Sequence, residues 1–381
     1  MRSLGRRLIA GLFVCGLAAM SLVAAPTAKE ATGALWISAY YPGWQQHNLP
    51  PAEIDFRAVT HLVQFSVLPR SDGSLDWTKH DLDDAHIQET VRLTHAAGRK
   101  ILLCVGGADS AVAFRGAMAE KTRAAFVGAL VKAVKTHGYD GLDLDMEPME
   151  ARDGAAYAVF VHELRVALNA GKSGALLTAA VGDQAELFAK LQDQFDQINV
   201  MTYDLSGAWE GWVTWHNSAL WNGGVKFPGS TRELPGVDLK IREWLSAGIS
   251  AERLGLGLAF YGYEWAGADG PKQSIAGVKT KQISYADIMK TQFTPSRYRW
   301  DEGAAVPYLS LAKDPAKPVE GGSFITFDDE RSLRLKIEYA RKMKLGGAII
   351  WELGSGWRPE LPAGKRDPLL QTVRSAASVS R

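Results

Sequence analysis

The sequence predicts an α/β fold, a TIM-type (β/α)8 barrel with a small α+β insertion between strands seven and eight. Three observations predict it. Eight β-like segments recur along the 381 residues. Amphipathic, helix-like stretches separate them, the pattern of a parallel sheet covered by helices. Eight such units are the number that closes this kind of sheet on itself.

The candidate strands are Leu35–Tyr41, Val59–Val67, Lys100–Val105, Gly141–Asp145, Ala175–Val181, Gln197–Tyr203, Leu254–Tyr261 and Gly347–Glu352. Among the helices, residues 119–137 place Phe126, Leu130 and Val134 four residues apart and stop at Gly138. Residues 153–170 read similarly, with Asp153 as N-cap. In residues 235–247, Pro235 suits a first helical position. A final helix opens after Asp328, Asp329 and Glu330, acids that favour a helix N-terminus, and runs through Leu333, Ile337 and Tyr339 to Lys344. Residues 263–322 break the rhythm. A connection that long rarely lacks structure of its own. It carries β-like Ser274–Val278 and Val306–Ser310 and a helix-like Ser284–Thr291, hence the α+β insertion. The barrel is assigned to residues 29–381 around it.

Residues 1–28 read as a secretory signal peptide. Arg2, Arg6 and Arg7 form a basic start, Leu8–Val23 is apolar, and Ala24–Ala28 is small and contains Pro26. Cleavage after Ala25 or after Ala28 fits equally. An uncleaved anchor is the alternative, but the apolar run is short against the ~20 residues of a span. Secretion, extracellular or periplasmic, is the expectation. The formal charge of +1 comes from 43 basic and 42 acidic residues. Loss of the signal removes three arginines and no acid, which leaves 40 against 42. Such a balance gives no electrostatic footprint for nucleic acid or an anionic membrane and suits a neutral polymer. Of two cysteines only Cys104 would survive cleavage, so no intramolecular disulfide can form. The eight histidines show no metal-ligand spacing. No cofactor or metal is expected, and a monomer is.

The most informative segment runs from Tyr139 to Glu147. Asp143, Asp145 and Glu147 alternate there with Leu144 and Met146. Every second side chain of a strand points the same way, so the three carboxyls share a face, roughly 6.5 Å apart. Acids are poor strand formers. A file of them needs surroundings that keep some protonated, which is the condition of a proton-transfer site. Asp140 has the wrong parity and reads as a structural hydrogen-bonding residue at the strand's entry. In a barrel of this kind the active site lies at the C-terminal ends of the strands, where Glu147 is placed to reach a substrate.

The spacing Asp140-x-x-Asp143-x-Asp145-x-Glu147 resembles the signature of glycoside hydrolase family 18, the chitinase family. Further motifs resemble the family in the expected order, from about residue 35 to 357. Cys104-Val-Gly106-Gly107 is similar to Ser-x-Gly-Gly, Met201-Thr-Tyr203-Asp204 to Met-x-Tyr-Asp, and Gly346-Gly347-Ala-Ile-Ile-Trp351 to the last strand. Trp209 with His216-Asn217-Ser218 fits the loop after Met-x-Tyr-Asp. The resemblance implies a retaining glycosidase that cleaves β-1,4 bonds in chitin or chitooligosaccharides, with the substrate's acetamido group as internal nucleophile. Acids confined to one strand agree with that, since they cannot easily bracket a sugar from two faces.

On this resemblance Glu147 is the proton donor. Asp145 orients the acetamido N–H, Asp143 shares a proton with Asp145, and Tyr203 aligns the acetamido carbonyl. Trp351 is the sugar floor, and Tyr40 and Phe65 are pocket aromatics. Met201 and Asp204 are wall and polar contact, and Gly106 and Gly107 let the backbone approach the pocket. Trp209 stacks on sugar. Trp212, Trp215 and Trp221 either stack likewise or pack on the insertion. Departures are Ala108 where many members have Trp, Tyr263 where many have Arg, and Cys104 for Ser. Two alternatives remain: an endo-N-acetylglucosaminidase or other N-acetylglucosamine-glycan hydrolase, and an inactive chitin-binding lectin, which relatives become chiefly by losing the acid that Glu147 supplies.

Overall fold

A computed structural model describes residues 34–311 and 322–378. The signal expected at 1–28 lies outside them, as do residues 312–321 of the insertion. From Ala34 onward the chain forms one compact unit.

Seven barrel strands come first: β1 (Trp36–Pro42), β2 (His61–Pro69), β3 (Lys100–Gly107), β4 (Gly141–Met146), β5 (Leu176–Val181), β6 (Gln197–Val200) and β7 (Leu254–Ala259). The insertion supplies β8 (Tyr261–Ala266), β9 (Lys279–Ser284), β10 (Tyr298–Asp301), β11 (Val306–Ser310) and β12 (Ser323–Thr326). The last barrel strand is β13 (Gly347–Trp351). Neighbours run β1-β13-β7-β6-β5-β4-β3-β2, all parallel, and β1 pairs with β2 to close the ring. The eight-stranded parallel barrel expected from the sequence is therefore present.

Helices cover the outside: α1 (Asp84–Ala96), α2 (Ala111–Ala117), α3 (Glu120–His137), α4 (Gly154–Gly171), α5 (Ala185–Leu191), α6 (Val237–Ser246), α7 (Glu330–Lys342) and α8 (Pro368–Ser378). The spacing read from the sequence puts Phe126, Leu130 and Val134 on the buried face of α3. Phe126 stacks on Phe160 of α4 with ring centroids 5.0 Å apart. Burial of a side chain of this size stabilises by about 1.5–3 kcal/mol. Gly138 ends α3 in the left-handed region, φ 82°, where a Cβ would be strained.

Several element ends differ from the sequence reading. Asp153 stands at the N-cap of α4 as expected, but its side chain makes no capping bond; the carboxyl is taken by Arg115, at 2.7 and 2.9 Å, and by the Glu150 N–H. Pro235 stands before the helix, because Gly236 is the N-cap of α6 and Val237 its first residue. The helix after Asp329 ends at Lys342 and is followed by α8, which the sequence reading left unassigned. Asp329 caps it through a reciprocal pair with Ser332.

The insertion is mainly a five-stranded antiparallel sheet, ordered β9-β8-β12-β11-β10, with a short helical stretch over Tyr285–Gln292. It begins at Tyr261 and returns at Thr326, beyond the expected limits on both sides. Only Phe260 separates β7 from β8, so the barrel strand passes directly into the inserted sheet. Ser274–Val278 is not a strand; Ser274 makes an isolated bridge to Val213, and β9 follows it. A buried ion pair, Lys336 Nζ to Asp328 at 2.6 Å, joins α7 to the return segment. Lys336 also donates to Ser218 Oγ at 2.7 Å.

Candidate active site

The site grows from the alternation in β4. Leu142, Leu144 and Met146 face the apolar layer shared with the helices. Asp143 and Asp145, between them, face the barrel interior and are 0% and 3% exposed. Asp143 Oδ2 accepts from Tyr40 Oη at 2.7 Å and Oδ1 from Thr178 Oγ1 at 2.5 Å. Burial raises the Asp143 carboxyl; these hydroxyls and the Cys104 thiol pull it back down.

Asp145 hydrogen-bonds to Glu147. Burial first, then the charges of Glu147 and Asp143, hold Asp145 well above the carboxylate range. Glu147 is only partly buried. Burial nevertheless pushes it up to about 7, Asp204 and Asp109 add repulsion, and the bond to Asp145 opposes them. Asp145 bonds Glu147, while the two oxygens of Asp143 accept from Tyr40 and Thr178.

The neighbouring strand and its loop grip the end of β4. Ser110 Oγ accepts from the Glu147 N–H and donates to the Asp145 carbonyl, both at 3.2 Å. Gly106 and Gly107 adopt φ values of 109° and 116°. A Cβ on Gly106 would stand 2.0 Å from the Asp145 carbonyl oxygen, and one on Gly107 2.5 Å from Phe65 Cζ. Only glycine fits either place.

Aromatic rings gather around the acids. Trp351 stands 5.5 Å from Tyr40 and 4.7 Å from Phe65, centroid to centroid. Tyr203 lies just beyond the end of β6 and meets Tyr261 edge-on at 6.0 Å. Gly257 leaves room for it, since a Cβ there would be 2.7 Å from the Tyr203 ring. Met201 packs on the same interior cluster. Asp204 sits on the rim with φ 54°. Its Oδ1 accepts from Tyr261 Oη at 2.7 Å, and its N–H donates to Asn217 Oδ1 at 2.8 Å.

Glu147, Asp145, Asp143, Tyr203, Tyr40, Phe65, Gly106, Gly107, Met201, Asp204 and Trp351 therefore converge on one end of the barrel. One singled-out residue does not. Asp140 is at the opposite end of β4, where it accepts from the Ile101 N–H and contacts His95 and Lys100. Trp209 is 49% exposed and its ring neighbour is Trp212. Of the other loop tryptophans, Trp215 is fully buried among Val213, Phe227 and Val306, and Trp221 packs edge-on against Tyr339. Packing on the insertion and on α7 accounts for these two.

The sequence reading passed over Thr178, Ser110, Tyr261 and Glu352. Thr178 is the register partner of Asp143, visible only once strands are paired. Tyr261 and Tyr263 share one strand face at i, i+2, a signal present in the sequence. Glu352, next to Trp351, accepts from Gln45 at 2.8 Å and Ser355 at 3.0 Å, and burial pushes it up to about 7.

Comparison with known proteins gives relatives over most of the chain. A probable endochitinase of Caenorhabditis elegans is 32% identical over 285 residues, 67% of this chain, although the chain spans only 43% of that relative's length. Chitinase-3-like protein 2 of Homo sapiens is 26% identical over 350 residues, 82% of this chain and 85% of the relative. The Ostrinia furnacalis Group IV chitinase, solved with allosamidin, shares the fold with a TM-score of 0.76 at 24% identity, covering 90% of this chain and 98% of that one. Residues 37–356 match the sequence profile of "Glycosyl hydrolases family 18", and the chain belongs to that family.

Proposed function

We propose that this chain hydrolyses β-1,4 glycosidic bonds in chitin or chitooligosaccharides with retention of configuration, using the substrate's 2-acetamido group as nucleophile. The observation that carries the reading is the Asp145 carboxyl. It is buried and bonded to Glu147, and its Oδ1 has no hydrogen-bond partner. An unpaired buried acceptor beside a proton donor fits an incoming acetamido N–H.

In this reading Glu147 gives its proton to the glycosidic oxygen as the C1–O bond breaks. The acetamido carbonyl oxygen bonds to C1 from the opposite face, giving an oxazolinium ion. Asp145 holds the N–H and offsets the positive charge, while the Tyr203 hydroxyl steadies the carbonyl. Water then adds to C1 on the vacated face, Glu147 takes its proton, and the C1–acetamido bond opens. A donor held near 7 carries its proton at neutral pH, as the first step requires. Trp351, with Tyr40 and Phe65, offers the apolar floor beneath the sugar. The N-terminal pattern of Arg2 to Ala28 supports export of the enzyme to an external polymer.

The test is turnover of a chromogenic chitobioside. The wild-type chain should release the chromophore and Glu147→Gln should be slower by roughly 10²-fold or more in kcat. Equal rates in the two would remove Glu147 from the role. Allosamidin, the ligand of the similar Ostrinia furnacalis structure, is the inhibitor to try.

A further inference from the structure

We propose that His80 is a positioning residue for the sugar site: its ring fixes Phe65, and its Nδ1–H fixes the Ser66 hydroxyl that holds the Gly106 carbonyl next to Asp145. The inference rests on the reading of this end of the barrel as the place where an N-acetylglucosamine chain binds. It assigns part of that site's shape to a histidine outside the barrel strands.

The need for such a residue lies in β2. Gln64 faces Leu103 of β3 and Val67 faces Val105, so Phe65 and Ser66 together stand against Cys104 alone. A bulge of this kind disrupts the ladder locally and re-aims side chains. Phe65 and Ser66 then depend on contacts other than the ladder to keep their places.

His80, in the connection between β2 and α1, supplies those contacts. Its ring stacks on Phe65, with centroids 5.1 Å apart and planes 24° apart. Trp44 meets both rings edge-on, 5.6 Å from Phe65 and 5.4 Å from His80. Phe65 in turn meets Trp351 at 4.7 Å and fills the space that a Cβ on Gly107 would enter. His80 Nδ1 lies 2.7 Å from Ser66 Oγ, and Ser66 Oγ lies 2.7 Å from the Gly106 carbonyl oxygen. A carbonyl only accepts, so the single hydroxyl hydrogen of Ser66 goes to Gly106. Ser66 Oγ must then accept from His80, which places a hydrogen on Nδ1. Gly106 is the register partner of Asp145. One imidazole is thus joined to the aromatic rings on one side and to the acid file on the other. Its backbone is fixed as well. A Cβ on Gly43 would stand 2.1 Å from the His80 carbonyl oxygen, so the chain after β1 presses closely on this loop.

Two substitutions separate the two holds. His80→Asn keeps a donor for Ser66 but has no ring to stack. His80→Phe keeps a ring but has no donor. Affinity is read as the Kd of chitotetraose for chains that also carry Glu147→Gln, and turnover as kcat on a chitobioside for chains that keep Glu147. His80→Asn should bind chitotetraose roughly 2–10-fold more weakly, the worth of one aromatic pair, with kcat within about twofold of wild type. His80→Phe should bind as wild type and lose roughly 2–10-fold in kcat, the worth of one hydrogen bond. Ser66→Ala should match His80→Phe, and the two together should be no slower than Ser66→Ala alone. Lys79→Ala, exposed on the same loop, should change neither quantity. Wild-type values in both His80 variants overturn the proposal. The same paired loss of affinity and kcat in both variants overturns it too, because any disturbance of the loop would then suffice. Losses that multiply between His80→Phe and Ser66→Ala overturn it as well. If the wild-type chain binds chitotetraose without turnover and His80→Asn weakens that binding, hydrolysis fails and the positioning account stands.

Discussion

At the scale of single residues, two buried carboxyls carry opposite tasks with similar proton affinity. Glu147 and Glu352 are both raised to about 7 by burial. Glu147 is partly exposed, and in the proposed mechanism it must be protonated in the first step. Hence kcat/KM should hold at acidic to neutral pH and fall as pH rises through about 7, as initial rates across a buffer series would show. Asp145→Asn removes one charge of the interacting set, so it should slow turnover and move that same limb. An unshifted limb would mean that the carboxyls titrate independently. Glu352, held by Gln45 and Ser355, acts on stability instead. Its folded-state affinity for a proton exceeds that of an unfolded glutamate, so its contribution is complete below about 4.5 and lost as pH rises through about 7. Glu352→Gln keeps an acceptor oxygen and cannot ionise. Its melting temperature relative to wild type should therefore climb between those two pH values, as thermal scans would reveal.

At the scale of elements, the β3–β4 pair is where backbone chemistry matters most. Gly106→Ala would place a methyl 2.0 Å from the Asp145 carbonyl at φ 109°, so Asp145 must move. We expect a loss of at least about 1 kcal/mol of stability, from thermal or denaturant melts, and a fall in kcat. Gly98→Ala, also at positive φ but with open space around the new methyl, should cost stability alone. These strands also mark what a sequence can disclose. Alternation of Asp143, Asp145 and Glu147 with leucine and methionine gave the acid file directly, because a strand's period of two needs no partner to be read. Phe126, Leu130 and Val134 gave the buried face of α3 for the same reason. The pairing of Asp143 with Thr178 and Tyr40 joins residues 35 and 103 positions apart and follows only from register. A cap position can be read while the side chain's role is not, as with Asp153, which stands at the N-cap of α4 but bonds Arg115 instead. The loop tryptophans were ambiguous because stacking on a sugar and stacking on protein call for the same residue.

At the scale of the whole molecule, barrel and insertion are fastened by polar contacts as well as apolar ones. Lys336 and Asp328 are both fully buried, and Lys336 also donates to Ser218, whose hydroxyl donates to the Thr202 carbonyl next to Tyr203. Lys336→Met leaves Asp328 without its cation. It should cost about 3–5 kcal/mol in a denaturant melt and loosen the segment that carries Tyr203 and Asp204. Replacement of both partners by apolar residues should recover much of that loss. The inserted sheet also reaches this end of the barrel, since Tyr261 of β8 donates to Asp204. The central claim joins all three scales: one file of acids, braced from both sides, acts with the substrate's own acetamido group. Proton NMR of the product at early times tests it most directly. Hydrolysis of a chitooligosaccharide should yield the β-anomer first, before mutarotation; initial α-anomer would contradict the account.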